Sequence, residues 1–139
     1  MKALRETADG RAIEVIDQTK LPFSLEWVTL RTADDVAVAI KTMVVRGAPL
    51  IGVAAAYGLA MDGKAYERLK ATRPTAVNLA WALDRVKAAK DAWAEARSIA
   101  TSESEACRRI GDAGLSLLTK AKRGEVLKVL THCNAGWLA

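Results

Sequence analysis

The hydrophobic pattern of this chain changes its period near residue 32, and that change constrains the fold more than any other feature. In the first thirty residues apolar and polar side chains alternate, which is typical of β-strands. Beyond residue 32 apolar residues recur at the three- and four-residue spacing of helices. The pattern predicts an α+β fold, mainly α, with a small N-terminal antiparallel sheet followed by a helical bundle.

A hairpin and a third strand are predicted in the first region. Residues 2–7 and 12–17 alternate in polarity, and Asp9-Gly10 between them supplies the positive φ that a tight turn requires. Pro22 interrupts the alternation. The pattern then resumes at three apolar residues, Leu25, Trp27 and Leu30. We therefore expect a sheet of two or three strands.

The helical region is predicted in segments. A first helix over residues 33–43 can be capped by Thr32, with Asp35 at capping-box spacing. An alanine-rich helix covers residues 51–61, and residues 75–99 form one long helix or two abutting ones. The first helix should bury Val36, Ile40 and Met43. The apolar positions of the third segment are Val77, Trp81, Leu83 and Val86.

The C-terminal part predicts one more helix and then a strand. Ser102 and Glu105 stand at capping-box spacing, so a helix can begin there, end near residue 118 and be closed by Gly124. Residues 126–130, VLKVL, predict a short buried strand. The expected domains are residues 1–124, a β-hairpin plus helical domain, and residues 125–139, the start of a second domain.

Composition sets the broad class. A chain of 139 residues with 51% apolar and 27% charged residues is typical of one globular domain, and it has no apolar stretch of membrane-spanning length and no signal-peptide core. Two cysteines favour free thiols in a reducing compartment, so we expect a cytoplasmic protein. The net charge of +5 suits anionic ligands, but the basic residues are dispersed, and no nucleic-acid or membrane partner is expected.

Two arginines precede proline-initiated helices. Arg46 opens the segment RGAPLIG, in which Gly47 lets the backbone approach a ligand and Pro49 suits a first helical turn. Arg73 opens RPTAVNL, where Thr72 or Thr75 can cap the helix. Helix N-termini attract anions and arginine binds phosphate with two donors. On the pattern alone, two ordinary junctions with surface arginines are the simpler interpretation.

The segment THCNAG places the only histidine of the chain beside Cys133. At the carboxyl end of a strand this cysteine could be a nucleophile, an acid or base, or a buried thiol. Adjacent residues of an extended segment point to opposite sides, so His132 is a poor activating base for Cys133. One histidine and two distant cysteines cannot fill a structural zinc site, so no metal is expected.

Three segments together resemble a known family. RGAPLIGVAAAYG from Arg46, RPTAVNLAWALDRV from Arg73 and THCNAGWLA from Thr131 closely resemble the N-terminal part of the S-methyl-5-thioribose-1-phosphate isomerases of methionine salvage. These enzymes lie within the wider initiation factor 2B-like family. The resemblance implies that residues 125–139 begin a Rossmann-like catalytic domain, truncated after its first strand. It also suggests shortened stretches between Tyr57 and Arg73 and between Val86 and Trp93.

The resemblance assigns roles to five residues. Arg46, Gly47, Ala48 and Arg73 would bind substrate, and Cys133 would be the catalytic cysteine, transferring a proton in a largely apolar pocket together with an aspartate. The implied reaction converts the aldose S-methyl-5-thio-α-D-ribose 1-phosphate to the ketose S-methyl-5-thio-D-ribulose 1-phosphate. It implies no cofactor, a phosphorylated sugar as partner and a homodimer in the full-length family.

The family's partner aspartate, a substrate-contacting glutamine and an Asn-Lys pair belong to its C-terminal domain, so the resemblance implies a fragment with half a site, inactive alone. Two alternatives stay open at this point. One is a non-catalytic, regulatory initiation factor 2B-like domain that makes protein contacts and needs no thiol. The other is an isomerase of the ribose-1,5-bisphosphate type.

Overall fold

Three short strands form one antiparallel sheet at the N-terminus. The structure, a computed structural model, describes residues 2–121, 124, 126–132 and 136–138. Strands β1 (Leu4–Glu6), β2 (Ile13–Ile16) and β3 (Trp27–Leu30) pair in that order. Leu4 lies opposite Val15, and Gly10 takes a φ of 64° in the turn between the first two strands. The predicted hairpin and third strand are confirmed.

Five helices follow the sheet in the described part of the chain. They are α1 (Ala33–Lys41), α2 (Ala48–Met61), α3 (Tyr66–Lys70), α4 (Val77–Ala88) and α5 (Ala92–Ala121). The α+β class with mainly helical content is therefore confirmed. Helix α3 was not predicted, because its five residues are too few to show a helical period.

Helix α2 is the centre of the core. Every residue from Leu50 to Leu59 is buried, since the helix is apolar on all sides and other elements surround it. Its glycines permit close contacts: a Cβ added at Gly52 would lie 2.9 Å from the Asn78 carbonyl oxygen of α4, and one at Gly58 would lie 3.0 Å from Cγ1 of Val36. Gly58 thus packs inside the helix and does not end it.

Helix α1 ends earlier than its apolar pattern predicts. Its last residue is Lys41, and Met43 takes a φ of 66°, the left-handed conformation that often follows a helix. The chain turns back there, with the Val45 amide donating to the Ala39 carbonyl. The prediction that Met43 is buried was wrong, because this reversal leaves 41% of the residue exposed.

Residues 75–99 contain two helices, and the second continues much further than predicted. Asp91 accepts a hydrogen bond from the Ala94 amide (3.0 Å), where α5 begins, and the helix then runs unbroken to Ala121. Ser102 does not start a new helix, since its hydroxyl donates to the Ile99 carbonyl of the preceding turn. Of the predicted apolar positions on α4, Leu83 and Val86 are buried, whereas Val77 and Trp81 are exposed.

Residues 126–130 do not form the predicted buried strand. The described residues show no strand there, and Val126, Val129 and Leu130 are exposed, Leu130 completely. A strand is stabilised by backbone hydrogen bonds to a neighbour, and no described residue forms a ladder with this segment. Gly124 has the positive φ expected of a closing glycine, at 77°.

Candidate functional site

The loop from Arg46 to Ala48 leads into α2 through a conformation that favours glycine. Gly47 stands at the N-cap position with φ 96° and ψ 135°, Ala48 is the first helical residue, and a proline follows in the first turn. No side chain caps this helix. The amides of its first turn therefore lack the side-chain acceptor that usually satisfies them.

The loop that carries Arg73 leads into α4 in a similar way. Ala76 is the N-cap residue, and again no side chain caps the helix. The prediction that Thr72 or Thr75 caps α4 was wrong, because the helix starts later than the proline suggests and the Thr72 hydroxyl donates to the Leu69 carbonyl at the end of α3 (2.6 Å). The Arg73 carbonyl accepts from the Ala76 amide, closing a tight turn, and Arg73 is half-buried.

The packing of α2 on α4 brings the two helix entrances together. Gly52, in the second turn of α2, lies directly against the backbone of Asn78, in the first turn of α4. Each N-terminus carries a partial positive charge from its helix dipole. Two uncapped N-termini, each preceded by an arginine, therefore lie side by side and can attract a doubly charged anion.

A buried glutamine joins the Arg46 loop to the C-terminal segment. Gln18 is only 7% exposed, and its Nε2 donates to the carbonyl oxygens of Arg46 (3.2 Å) and Leu138 (2.9 Å). The preceding residue, Asp17, accepts from the amide and hydroxyl of Thr19 and so fixes the turn that presents the glutamine. Residues beyond the THCNAG segment thus lie beside the loop that was predicted to bind substrate.

Cys133, the predicted catalytic residue, lies outside the described residues. Thr131 and His132, which precede it, are described and exposed. The structure therefore places Arg46, Gly47, Ala48 and Arg73 at the entrances of α2 and α4, and the role of Cys133 stays a prediction. Sequence reasoning missed Gln18, whose partners lie 28 and 120 residues away in the chain.

Sequence reasoning also missed a cavity of about 600 Å³ between β1, α2, α5 and the C-terminal segment. Glu6, Tyr57 and Arg97 line it together: Glu6 accepts from Arg97 Nε (2.9 Å) and from the Tyr57 hydroxyl (2.8 Å). The Arg97 hydrogen bond lowers the pKa of Glu6, and burial raises that of Tyr57. The four described substrate positions predicted from the sequence, Arg46, Gly47, Ala48 and Arg73, are not among the described residues lining this cavity.

Within the described ranges, no group of three or more His, Cys, Asp or Glu side chains could hold a metal ion. None of the described helices combines the length and apolar character needed to cross a membrane.

Comparisons with known proteins agree with the three motifs. The model of the Initiation factor 2 subunit family matches residues 44–139, a range that starts just before Arg46 and includes Arg73 and Cys133.

Curated relatives carry one consistent name. Methylthioribose-1-phosphate isomerase from Methylorubrum populi is 51% identical over 154 aligned positions, and that from Escherichia coli O45:K1 is 47% identical over 157. These alignments cover 95% and 96% of this chain but 42% of each relative, so the chain spans less than half the length of the proteins it matches. Because the alignments are longer than the chain's 139 residues, both relatives contain residues with no counterpart here.

Two solved structures share the fold. The 5-methylthioribose 1-phosphate isomerase of Pyrococcus horikoshii OT3 superposes with a TM-score of 0.76 at 37% identity, over 84% of this chain and 40% of that one. The delta subunit of translation initiation factor eIF-2B from A. fulgidus superposes with a TM-score of 0.55 at 31% identity, over 76% and 36%. Both similarities are consistent with an N-terminal portion of this fold.

Proposed function

This chain belongs to the Initiation factor 2 subunit family, and from that premise we propose that it is the substrate-anchoring N-terminal part of a methylthioribose-1-phosphate isomerase. In this proposal the phosphate of S-methyl-5-thio-α-D-ribose 1-phosphate binds at the entrances of α2 and α4. The ketose product, S-methyl-5-thio-D-ribulose 1-phosphate, keeps the same phosphate. The whole protein would carry out the aldose–ketose conversion of methionine salvage.

The observation that carries the proposal is the pairing of two uncapped helix entrances. Gly47 and Ala76 provide no side-chain acceptor, and Arg46 and Arg73 stand close before them in the chain. A phosphate monoester offers several acceptor oxygens and two negative charges, which match backbone amides and guanidinium groups together. Gly47 contributes further, since without a Cβ it leaves the loop backbone open to a ligand.

We assign proton transfer to Cys133, in accordance with the isomerase motif THCNAG. An aldose–ketose conversion moves a proton between neighbouring carbons, and a thiol in an apolar pocket can act as acid or base. Three aspartates of the helices already have other partners: Asp84 accepts from the Tyr66 hydroxyl, Asp91 starts α5, and Asp112 pairs with Arg108. We therefore assign the partner carboxylate to the remainder of the whole protein, in the Rossmann-like domain that residues 125–139 would begin.

We further propose a cytoplasmic homodimer that binds no nucleic acid. Several arginines are paired with carboxylates, so they are not available to bind the phosphates of a nucleic acid. The pairs are Arg5–Glu14, Arg68–Asp34, Arg85–Glu95 and Arg97–Glu6. Ile110, Leu115 and Leu117 on the second half of α5 are exposed, as expected of a surface that is covered in a larger assembly.

The first test is phosphate binding by the 139-residue chain. Titration with inorganic phosphate and with the sugar phosphate, followed by ¹⁵N NMR, should shift the amides of Gly47, Ala48 and the first turn of α4. Arg46→Ala or Arg73→Ala should weaken binding about tenfold, because each removes a charge-assisted hydrogen bond. Arg11→Ala, which removes an exposed arginine from the hairpin turn, is the control. Equal affinity in all four proteins would disprove the phosphate site.

The second test is turnover. The 139-residue chain alone should convert no substrate, because half of the site would be missing. In a full-length isomerase that carries the RPTAVNL segment, Arg73→Ala should raise the KM sharply, and Cys133→Ser should abolish turnover. If the 139-residue chain showed turnover, and if Cys133→Ala abolished that turnover, the half-site proposal would be contradicted.

A second candidate is a regulatory domain, favoured by the similarity to the A. fulgidus delta subunit. That function needs protein contacts and no thiol. It predicts that Cys133→Ser leaves function intact and that the sugar phosphate binds no better than inorganic phosphate, so the two tests separate the candidates.

A further inference from the structure

We propose that Gln18 is a positioning residue that holds the substrate-binding loop and the C-terminal segment in one arrangement. Its side-chain amide is the described group that contacts both: Nε2 donates to the carbonyl of Arg46, two residues before α2, and to the carbonyl of Leu138. A role of Gln18 in catalysis rests on the proposed function, whereas the link that Gln18 makes between the Arg46 loop and Leu138 does not.

The chemistry of the two partners requires an amide at position 18. Both are carbonyl oxygens, which only accept hydrogen bonds, so the group between them must provide two donors and no negative charge. The NH₂ group of glutamine meets this requirement without a charge that burial would make costly. A glutamate would place a carboxylate against two carbonyls, and a methionine of similar shape would leave both without this donor.

The surroundings keep this amide in place. The Gln18 backbone amide donates to the Val44 carbonyl (3.1 Å), which ties the turn after β2 to the chain just ahead of Arg46. Asp17 donates its own amide to the Glu26 carbonyl (2.9 Å) and fixes the turn from the other side. The glutamine is thus attached to the loop by its backbone and by its side chain.

The reach of the chain links this contact to catalysis. Leu138 follows Cys133 by five residues, which span at most about 18 Å even when fully extended. Holding the Leu138 carbonyl beside the Arg46 loop therefore limits how far Cys133 can lie from the proposed phosphate site. A side chain at one end of the sheet would thus limit the distance between the proposed substrate anchor and the proposed catalytic thiol.

The test measures order in the C-terminal segment of the 139-residue chain without phosphate or substrate, so its result does not depend on isomerase activity. ¹⁵N relaxation should give backbone order parameters near about 0.85 for Trp137 and Leu138 in the wild-type chain. In Gln18→Met and in Gln18→Glu at neutral pH they should fall below about 0.6. Ser102→Ala, which loses a side-chain hydrogen bond to the Ile99 carbonyl within α5, is the matched control and should leave them unchanged.

A pH series separates positioning from a general packing effect. Below the pKa of its carboxyl group, Gln18→Glu regains one O–H donor, so order at Leu138 should partly return. Gln18→Met should show no such recovery. A chain ending at residue 135 lacks Leu138 and so removes the other partner of the same hydrogen bond. In that chain the NMR signals of the Gln18 side-chain NH₂ group should shift, while the β-sheet signals should not.

Unchanged order parameters in Gln18→Met, with the sheet signals intact, would overturn the proposal. If the glutamine variants do not fold, unchanged Gln18 NH₂ signals in the shortened chain would overturn it as well. Loss of order in the glutamine variants with recovery at low pH in Gln18→Glu alone would establish it, whatever the phosphate titrations show.

Discussion

The N-terminus of α1 and those of α2 and α4 are built in opposite ways. At α1 the Thr32 hydroxyl accepts from the Asp35 amide (3.1 Å), and the Asp35 carboxylate accepts from the amides of Thr32 and Arg31 (2.9 Å each). This is a complete capping box. At α2 and α4, by contrast, Gly47 and Ala76 offer no side-chain acceptor at all.

The contrast separates a capped helix end, which stabilises the fold, from two uncapped ends that we propose bind phosphate. A capping side chain satisfies the first-turn amides and contributes about 1 kcal/mol, so its absence from two helices has a cost. Both uncapped ends follow an arginine and lie next to each other through the Gly52–Asn78 contact. At α1 the Asp35 amide is already bonded to the Thr32 hydroxyl, whereas at α2 and α4 no capping side chain would compete with a phosphate for the first-turn amides.

The contact between the two uncapped ends is the most sensitive place to break this arrangement. In Gly52→Ala the added Cβ would lie 2.9 Å from the Asn78 carbonyl oxygen, so one backbone must move. We expect the free energy of unfolding, measured by urea denaturation, to fall by about 1–3 kcal/mol and phosphate binding to weaken. Gly111→Ala on α5 meets open space and should instead gain up to about 1 kcal/mol, as alanine favours helix. Equal effects of the two substitutions would show that α2 and α4 are not tightly packed at this point.

Exchanging the chemistry of the two kinds of helix end sharpens the comparison. Thr32→Ala removes a cap and should lower stability by about 1 kcal/mol without altering phosphate affinity. Ala76→Ser adds a hydroxyl at the N-cap of α4, where the extended backbone suits a capping serine, and should raise stability by a similar or smaller amount. Because that hydroxyl would compete for the same amides, phosphate should bind more weakly. Tighter binding in Ala76→Ser would contradict the assignment of these amides to the anion.

Local signals in the sequence predicted the elements that local chemistry specifies. Asp9-Gly10 located the hairpin turn, and the Thr32–Asp35 pair located both the start of α1 and its capping box. The same motif failed at Ser102, because a serine inside a helix can donate to the preceding turn instead of capping a new one. A capping pair therefore predicts a helix start only where the chain before it is not already helical.

The site was predicted in part, and its missing parts depend on long-range contacts. Arg46 and Arg73 could be singled out because each stands before a proline and a helix. The contact between the helices that follow them depends on Gly52 packing against Asn78, and the proposed role of Gln18 depends on Leu138. Neither pairing has a local signature. The buried strand predicted at residues 126–130 failed for the same reason, since a strand needs a neighbour that local pattern cannot supply.

The pH dependence of the α1 cap gives the smallest expected effect. The hydrogen bond from the Arg31 amide, with those of Thr32, holds the pKa of Asp35 below its ordinary value of 3.8 despite some desolvation. A carboxylate with a lowered pKa stabilises the fold above that ordinary value, and the contribution is lost as pH falls through the lowered one. The stability difference between wild type and Asp35→Asn should therefore be constant above about pH 5 and shrink below pH 3.8, by a modest amount because Asp35 is exposed.

The control is Glu67→Gln, which removes an exposed carboxylate from the first turn of α3 and corrects for the general change in charge. If the difference grew on acidification, the Asp35 carboxylate would destabilise α1. The contrast between a stabilising capped end and two uncapped ends proposed to bind phosphate would then fail at α1.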